Sequence, residues 1–155
     1  MKRFIFSMIL LLSGLTLSAA EEPAKLETPT GTLYGTLAVP QEPSHTVALI
    51  IAGSGPTDRN GNSAAGLNTD CYRILADTLA AHGYASLRYD KRAIGESASA
   101  CESEEQLTFD TYIDDAVAWA NKLVADERFD RVVLIGHSEG ALIALVAAQR
   151  SDAVC

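Results

Sequence analysis

The sequence predicts an α/β fold, built as a mainly parallel sheet with flanking helices and an N-terminal β-hairpin. Three mainly apolar runs, at residues 46–52, 84–89 and 132–135, are predicted strands, and the first has the near-continuous apolar character of a strand buried on both faces of a sheet. A segment with helical spacing of apolar residues follows each run. Three strand–helix repeats in succession are typical of a parallel sheet with helical crossovers.

The region before these repeats predicts the hairpin. Residues 32–39 alternate loosely between apolar and polar side chains, which predicts a strand. Gly31 predicts the turn that leads into it from a shorter strand around residues 25–28. Residues 21–30 are largely polar and contain two prolines, so we interpret them as an extended leader. Two more prolines at residues 40–44 predict a loop before the first apolar run.

The first two helices have recognisable ends. Asn68 or Thr69 is the predicted N-cap of the first helix, which ends before Gly83. Thr108 is the predicted N-cap of the second helix, which runs to about residue 124. The apolar residues predicted to face the core are Cys71, Leu75 and Leu79 in the first helix and Phe109, Ile113, Ala116, Ala120 and Leu123 in the second.

Residues 1–20 have the pattern of a secretory signal peptide. Lys2 and Arg3 are followed by an apolar stretch and then by small residues, which predicts cleavage before Glu21. The mature chain, residues 21–155, is then one domain in an exported protein, periplasmic or extracellular. We expect no membrane contact after cleavage. The net charge of −8 argues against nucleic acid as a partner.

The mature chain contains three cysteines, and an exported protein meets an oxidising compartment. A disulfide between Cys71 and Cys101 is the first pairing to test, although spacing does not determine connectivity and Cys155 stays a possible partner. No group of cysteines and histidines has the spacing of a metal site.

Residues 131–150 have the strand, sharp turn and helix of a nucleophile elbow. Gly136-His-Ser138-Glu-Gly140 lies between the third apolar run and an Ala/Leu-rich helical segment. In this arrangement the turn is too tight for side chains at the two glycines, and it presents the serine hydroxyl at the carboxyl end of the strand. Ser138 is therefore the candidate nucleophile.

Acyl transfer through a serine also needs hydrogen-bond donors for the oxyanion. The backbone N–H of the residue after the nucleophile, Glu139, is one candidate. The loop after the first apolar run supplies the other, and Ser54 N–H is the candidate because Gly53 and Gly55 leave room for substrate. The loops after the three apolar runs should converge at one edge of the sheet.

The charged residues of these loops are predicted to brace them. Asp58 and Arg59 should tie down the first loop, and Asp90 and Arg92 should brace the second. The spacing of the first loop lacks the third glycine of a dinucleotide-binding fingerprint. It also lacks the glycine and the final glutamate of a calcium loop.

The sequence resembles the α/β-hydrolase superfamily and, more narrowly, secreted bacterial serine esterases related to the serine-aminopeptidase-like hydrolases. Four segments carry the resemblance: GTLYGTLAVP (31–40), IIAGSGPTDRNG (50–61), LRYDKRAIGES (87–97) and GHSEG (136–140). The third segment departs from the family pattern at Ala93, where the family usually has glycine. The resemblance implies an eight-stranded sheet in full-length members, Ser138 as nucleophile, a small-molecule ester as substrate and no cofactor. It leaves open thioester or peptide substrates and the oligomeric state.

The other two members of a catalytic triad have no evident counterpart. In this fold the acid and then the histidine follow the nucleophile, whereas no histidine follows Ser138 in this sequence. His45, His82 and His137 all precede it, and we expect each to be structural.

We therefore expect the chain to be the N-terminal part of a serine esterase, inactive by itself. The alternative is a non-catalytic α/β-hydrolase remnant that binds a ligand or is inert. In either case the strand before Ser138 should lie at an unprotected sheet edge, which favours association or incomplete folding.

Overall fold

The computed structural model of the protein describes residues 19–101 and 103–155. The predicted signal peptide lies outside these residues except for its last two positions. The elements are β1 (Ala20–Thr28), β2 (Gly31–Val39), β3 (Thr46–Ile51), β4 (Asn62–Ser63), β5 (Leu67–Asn68), α1 (Cys71–Ala81), β6 (Ala85–Tyr89), α2 (Phe109–Val124), β7 (Arg131–Gly136) and α3 (Glu139–Arg150).

Five strands form one mixed sheet in the order β1-β2-β6-β3-β7. Strands β6, β3 and β7 are parallel, and β1 and β2 form an antiparallel hairpin beside β6. In the parallel part Ile50 pairs with Arg88 and Ile51 pairs with Gly136. The loops that follow β3, β6 and β7 therefore emerge at one edge of the sheet, as predicted.

The sheet is covered on both faces. One face of β3 packs with α2 and α3 in the larger core, which includes Val47, Leu49 and Ile51. The other face packs with α1, where Ile50 contacts the smaller cluster around Tyr72. Alternate side chains of one strand thus enter two cores, which explains why the run is apolar throughout. Among the described residues, no helix combines the length and apolar composition that crossing a bilayer would require.

The N-terminal hairpin is longer than predicted. The segment interpreted as an extended leader is strand β1, which pairs with β2 from Ala20 opposite Val39 to Thr28 opposite Gly31. Proline is tolerated in β1 because this strand lies at the sheet edge, where Pro23 can sit without breaking the ladder. The turn at Gly31 is as predicted, with φ at 138°.

Helix α1 begins later than predicted, and it buries a different face. Its N-cap is Asp70, whereas Asn68 belongs to the β4–β5 ribbon. The Asn62 side chain bonds both the amide and the carboxylate of Asp70, which places the turn there. The fully buried residues are Tyr72, Ala76 and Ala80; the predicted Cys71 is exposed, while Leu75 and Leu79 are partly buried.

Helix α2 begins and ends where predicted. Thr108 and Thr111 form a reciprocal capping box, in which each side chain bonds the backbone amide of the other. Trp119 joins the predicted stripe as a fully buried residue, whereas Phe109 at the first position is exposed.

Strand β7 is an edge of the sheet, as expected. It pairs along its length with β3 on one side. On the other side, within the described residues, a single bridge joins Val132 to Val154. Val133 in the middle of β7 remains 39% exposed.

Candidate active site

Ser138 occupies a strained turn between β7 and α3. Its φ and ψ are 53° and −118°, values that a residue other than glycine rarely adopts. The helix starts directly afterwards, with Gly140 N–H bonding the His137 carbonyl at 2.8 Å and Ala141 N–H bonding the Ser138 carbonyl at 2.9 Å. The Ser138 residue is exposed at the carboxyl edge of the sheet. This is the backbone geometry that a nucleophile elbow requires.

The two glycines of the turn have no room for a side chain. A Cβ on Gly136 would lie 2.1 Å from the Gly140 carbonyl oxygen, and a Cβ on Gly140 would lie 2.3 Å from the Ile51 carbonyl oxygen. Both distances are far inside van der Waals contact, and the obstacles are backbone atoms. Any larger residue would force β7, α3 and β3 apart.

The loop after β3 lies against this turn. A Cβ on the buried Gly53 would be 3.1 Å from His137 Nδ1 and 3.3 Å from Ser138 Cβ. The next residue, Ser54, is exposed. Within the described residues, neither the Ser54 amide nor the Glu139 amide donates a hydrogen bond. The two amides predicted as oxyanion donors thus have no hydrogen-bond acceptor in the described part of the chain.

Tyr72 joins this loop to the elbow, a contact that was not predicted from the sequence. Its hydroxyl lies 3.0 Å from His137 Nδ1 and accepts a hydrogen bond from Gly53 N–H at 3.3 Å. Burial raises the pKa of the Tyr72 hydroxyl, and this outweighs the opposite effect of the Gly53 bond. The hydroxyl therefore stays neutral at ordinary pH. The spacing of Tyr72 with Ala76 and Ala80 on one helix face was the available signal.

Lys91 was also missed, and it is nearly inaccessible. Its ammonium donates to the Gly53 carbonyl at 2.6 Å and lies 3.3 Å from Glu139 Oε1. It also lies 5.1 Å from the centre of the Tyr112 ring. Burial, followed by the nearby Glu139 carboxylate, raises the pKa of the Tyr112 hydroxyl. Lysine is rarely buried without partners, so the sequence alone gave no reason to place it here.

The neighbours of Lys91 brace the loops. Asp90 accepts hydrogen bonds from the Arg59 amide at 2.7 Å, from the Arg59 guanidinium at 2.6 and 3.1 Å, and from Glu96 N–H at 3.0 Å. Arg92 forms a two-bond pair with the buried Asp115 at 2.6 and 2.7 Å, and this pairing raises the pKa of Arg92. These bonds agree with the bracing predicted for Asp90 and Arg92.

Asp58 ties down the first loop, as predicted. Its Oδ1 accepts from the amides of Asn60 and Asn62, each at 2.8 Å. The Asp58 carboxylate is thus occupied by amides of its own loop, whereas Asn60 Oδ1 accepts from Arg88 Nε at 3.0 Å and the Asn62 side chain bonds Asp70. In the described part of the chain, no three histidine, cysteine or acidic residues are grouped so as to hold a metal ion.

None of the three histidine side chains hydrogen-bonds to Ser138 in the described structure. His45 precedes β3 and lies 3.1 Å from Asp130, at the sheet edge opposite the elbow. His82 lies at the end of α1, with Nδ1 2.8 Å from the Thr78 carbonyl. His137 is held by Tyr72. Their predicted structural roles agree with these contacts.

Two open pockets flank the elbow. One, of about 330 Å³, is lined by Ser138, Ser54 and Tyr72 together with Leu67 and Cys71. The other, of about 420 Å³, lies beside Glu139 and is lined by Lys91 and Tyr112. The candidate nucleophile thus opens into a cavity large enough for a small acyl group.

The suggested disulfide is not formed. Cys71, Cys101 and Cys155 are all free thiols. Cys71 lies against Gly61 at the elbow pocket, while Cys101 follows Ala100, which contacts the β1–β2 turn through Thr30. The two residues are held by different parts of the structure.

The sequence matches a family model over its C-terminal part. The family described as serine aminopeptidase, S33, matches residues 65–155, which is more than half of the chain. The chain belongs to this family. The match includes the elbow, the Lys91 segment and all three helices. Among curated proteins, no match was found.

Solved structures show the same fold. The α/β hydrolase GrgF from Penicillium sp. sh18 has a TM-score of 0.69 at 20% identity, over 87% of this chain and 43% of its own. The Pyrococcus furiosus esterase Pf2001 has a TM-score of 0.67 at 23% identity, over 90% and 51%. XC6422 from Xanthomonas campestris, described as an α/β serine hydrolase without lid, has a TM-score of 0.64 at 24% identity, over 84% and 56%.

The fold of this member of the serine aminopeptidase S33 family is accordingly the α/β-hydrolase fold. The predicted fold class is confirmed. The chain spans about half the length of the solved structures that it matches.

Proposed function

We propose that this chain is the nucleophile-bearing part of an exported serine hydrolase that cleaves small carboxylic esters through an acyl-enzyme on Ser138. The observation that carries the proposal is the backbone of Ser138, at φ 53° and ψ −118°, beside two amides that have no partner in the described residues. A strained turn of this kind persists only where its surroundings enforce it, and such turns cluster at active sites.

In the proposed reaction, Ser138 Oγ attacks the ester carbonyl carbon while a general base takes its proton. The carbonyl oxygen becomes an oxyanion, which accepts hydrogen bonds from Ser54 N–H and Glu139 N–H. The C–O bond to the alcohol then breaks, and the base returns the proton to the leaving alcohol. Water attacks the resulting ester of Ser138 in the same manner, which releases the acid and restores the serine.

The general base is the part of the reaction that the described residues do not supply. In α/β hydrolases the triad acid and histidine follow the nucleophile in the chain. We propose that a segment following residue 155 in a longer product provides both. The lengths of the matched structures support this proposal, because each is about twice the length that this chain covers.

The alternative function is a non-catalytic α/β-hydrolase domain that binds a ligand or is inert. It is favoured by the contacts of His45, His82 and His137, since none of these side chains hydrogen-bonds to Ser138 in the described structure. The two functions differ in whether Ser138 is required for turnover.

The test is hydrolysis of p-nitrophenyl butyrate by the 155-residue chain and by any longer product of the same reading frame. We expect turnover in the longer product, and a loss of at least about 10³-fold in Ser138→Ala, because removing a triad serine removes covalent catalysis. Ser99→Ala changes an exposed serine and serves as the control. Activity that survives Ser138→Ala would exclude the assignment, and no turnover in any form would favour the non-catalytic function.

Export is proposed from residues 1–20 alone. Protein recovered from the periplasm or the medium is expected to begin at Glu21. Intact Met1 on protein that stays in the cytoplasm would contradict the proposal.

A further inference from the structure

We infer that Lys91 is a positioning residue for the oxyanion hole, an inference that rests on the proposed function. Its ammonium contacts both segments that carry the candidate donors. It bonds the Gly53 carbonyl at 2.6 Å on the β3 loop and approaches Glu139 Oε1 to 3.3 Å at the start of α3. The Lys91 side chain is 5% exposed. A single buried cation therefore connects the two halves of the oxyanion hole.

The bond to Gly53 fixes the orientation of the Ser54 amide. The Gly53 carbonyl and the Ser54 N–H belong to one planar trans peptide, so they point in opposite directions. Holding the carbonyl toward Lys91 turns the N–H away from Lys91. Without this bond the peptide could rotate, because Gly53 has no side chain to restrict it. An ammonium on the carbonyl also polarises the peptide, which strengthens the N–H as a donor.

The contact between Lys91 and Glu139 holds the second half of the proposed oxyanion hole. Glu139 is the first residue of α3, and its amide is the second candidate donor. The Glu139 carboxylate is only partly buried, so it can lie toward Lys91 without losing all of its hydration. The side chain of Glu139 thus has a use that is separate from that of its amide.

The neighbours of Lys91 show that loop bracing is accomplished without it. Asp90 is held by Arg59 and Glu96, and Arg92 by Asp115. Those bonds anchor both ends of the segment. Burying an ammonium costs free energy unless its partners replace water. The Lys91 ammonium is buried at this cost beside Gly53 and Glu139. What it stabilises there is the orientation of the two candidate donor amides.

The kinetic test uses whichever form of the protein shows Ser138-dependent hydrolysis of p-nitrophenyl butyrate. We expect Lys91→Met to lower kcat about 10- to 100-fold with KM changed less than about threefold, because a misdirected donor weakens the transition state more than the ground state. Lys91→Arg should recover part of kcat, since it keeps a cation with N–H donors. Lys122→Met, which removes an exposed lysine on α2, should change neither parameter. An unchanged kcat in Lys91→Met, or no difference between Met and Arg at this position, would overturn the inference.

A second measurement is independent of activity. Amide hydrogen exchange and the ¹⁵N shift of Ser54 are compared among wild type, Lys91→Met, Lys91→Arg and Lys122→Met of the 155-residue chain. We expect a shifted, faster-exchanging Ser54 amide in Lys91→Met, with Lys91→Arg closer to wild type. If Lys91→Met does not fold, the comparison of Lys91→Arg with Lys122→Met decides, and identical Ser54 signals in those two would overturn the inference.

The two measurements separate the possible failures. Absence of Ser138-dependent turnover in every form, together with a Lys91-dependent Ser54 amide, would remove the proposed function and leave the positioning role of Lys91. Turnover that is insensitive to Lys91, with an unchanged Ser54 amide, would remove the positioning role and leave the proposed function.

Discussion

At Ala93 the chain holds an L-residue in a conformation that favours glycine. Its φ is 65°, in the left-handed region. An alanine there costs about 1–2 kcal/mol, and part of that is offset because glycine has more freedom to lose on folding. We expect Ala93→Gly to raise the free energy of unfolding by about 0.5–1 kcal/mol in urea unfolding. The departure from the family pattern at this position would then be a cost in stability.

The matched control is Ala98→Gly, five residues further on in the same loop. Ala98 is exposed and has right-handed helical values, with φ at −55°. Glycine should lower stability there by about 0.5–1 kcal/mol. If both variants change the free energy of unfolding in the same direction, the effect of Ala93→Gly does not come from backbone strain at Ala93.

The sequence predicted those residues whose role follows from backbone sterics. Gly136, Ser138 and Gly140 could be identified because a tight turn leaves few residue types that fit, and the contact distances agree. Tyr72 and Lys91 could not be, because their roles depend on which side chains the folded loops bring together. A lysine in a loop gives no sign that it will be buried.

Among the elements, those with local end signals were predicted best. The N-cap of helix α2, Thr108, could be predicted because the capping box lies within four residues of sequence. Helix α1 was placed too early because its start depends on Asn62, eight residues before Asp70, through the β4–β5 ribbon. Strand β1 was predicted too short. Its own sequence is polar and contains proline, and it is a strand because it pairs with β2.

For the whole molecule, the parallel arrangement of β6, β3 and β7 explains why distant motifs form one site. Since these strands end at the same edge, the loop at Gly53, the segment at Lys91 and the elbow at Ser138 meet there. The order of strands also leaves β7 outermost, with α3 beside it. The edge that carries the elbow therefore brings these three loops together, while the outer side of β7 has a single bridge among the described residues.

That open flank should make the 155-residue chain associate with itself. Leu145 on α3 is 63% exposed and Val133 on β7 is 39% exposed, and the two line one open pocket. Apolar side chains therefore adjoin a strand edge that has a single bridge among the described residues. Edges and patches of this kind favour association. We expect the chain to show an average mass in light scattering that rises with concentration, and Leu145→Gln to lower that mass toward the monomer.

Ile74→Gln separates this effect from a general gain in polarity. Ile74 is 54% exposed, similar to Leu145, but it lies on α1 at the opposite face of the sheet. We expect it to leave association unchanged, because the apolar surface beside β7 is intact in that variant. Equal effects of the two variants would show that the β7 flank has no special part in association. A monomeric wild type with a sharp, reversible thermal transition would show that the chain folds with its β7 edge exposed and does not associate there.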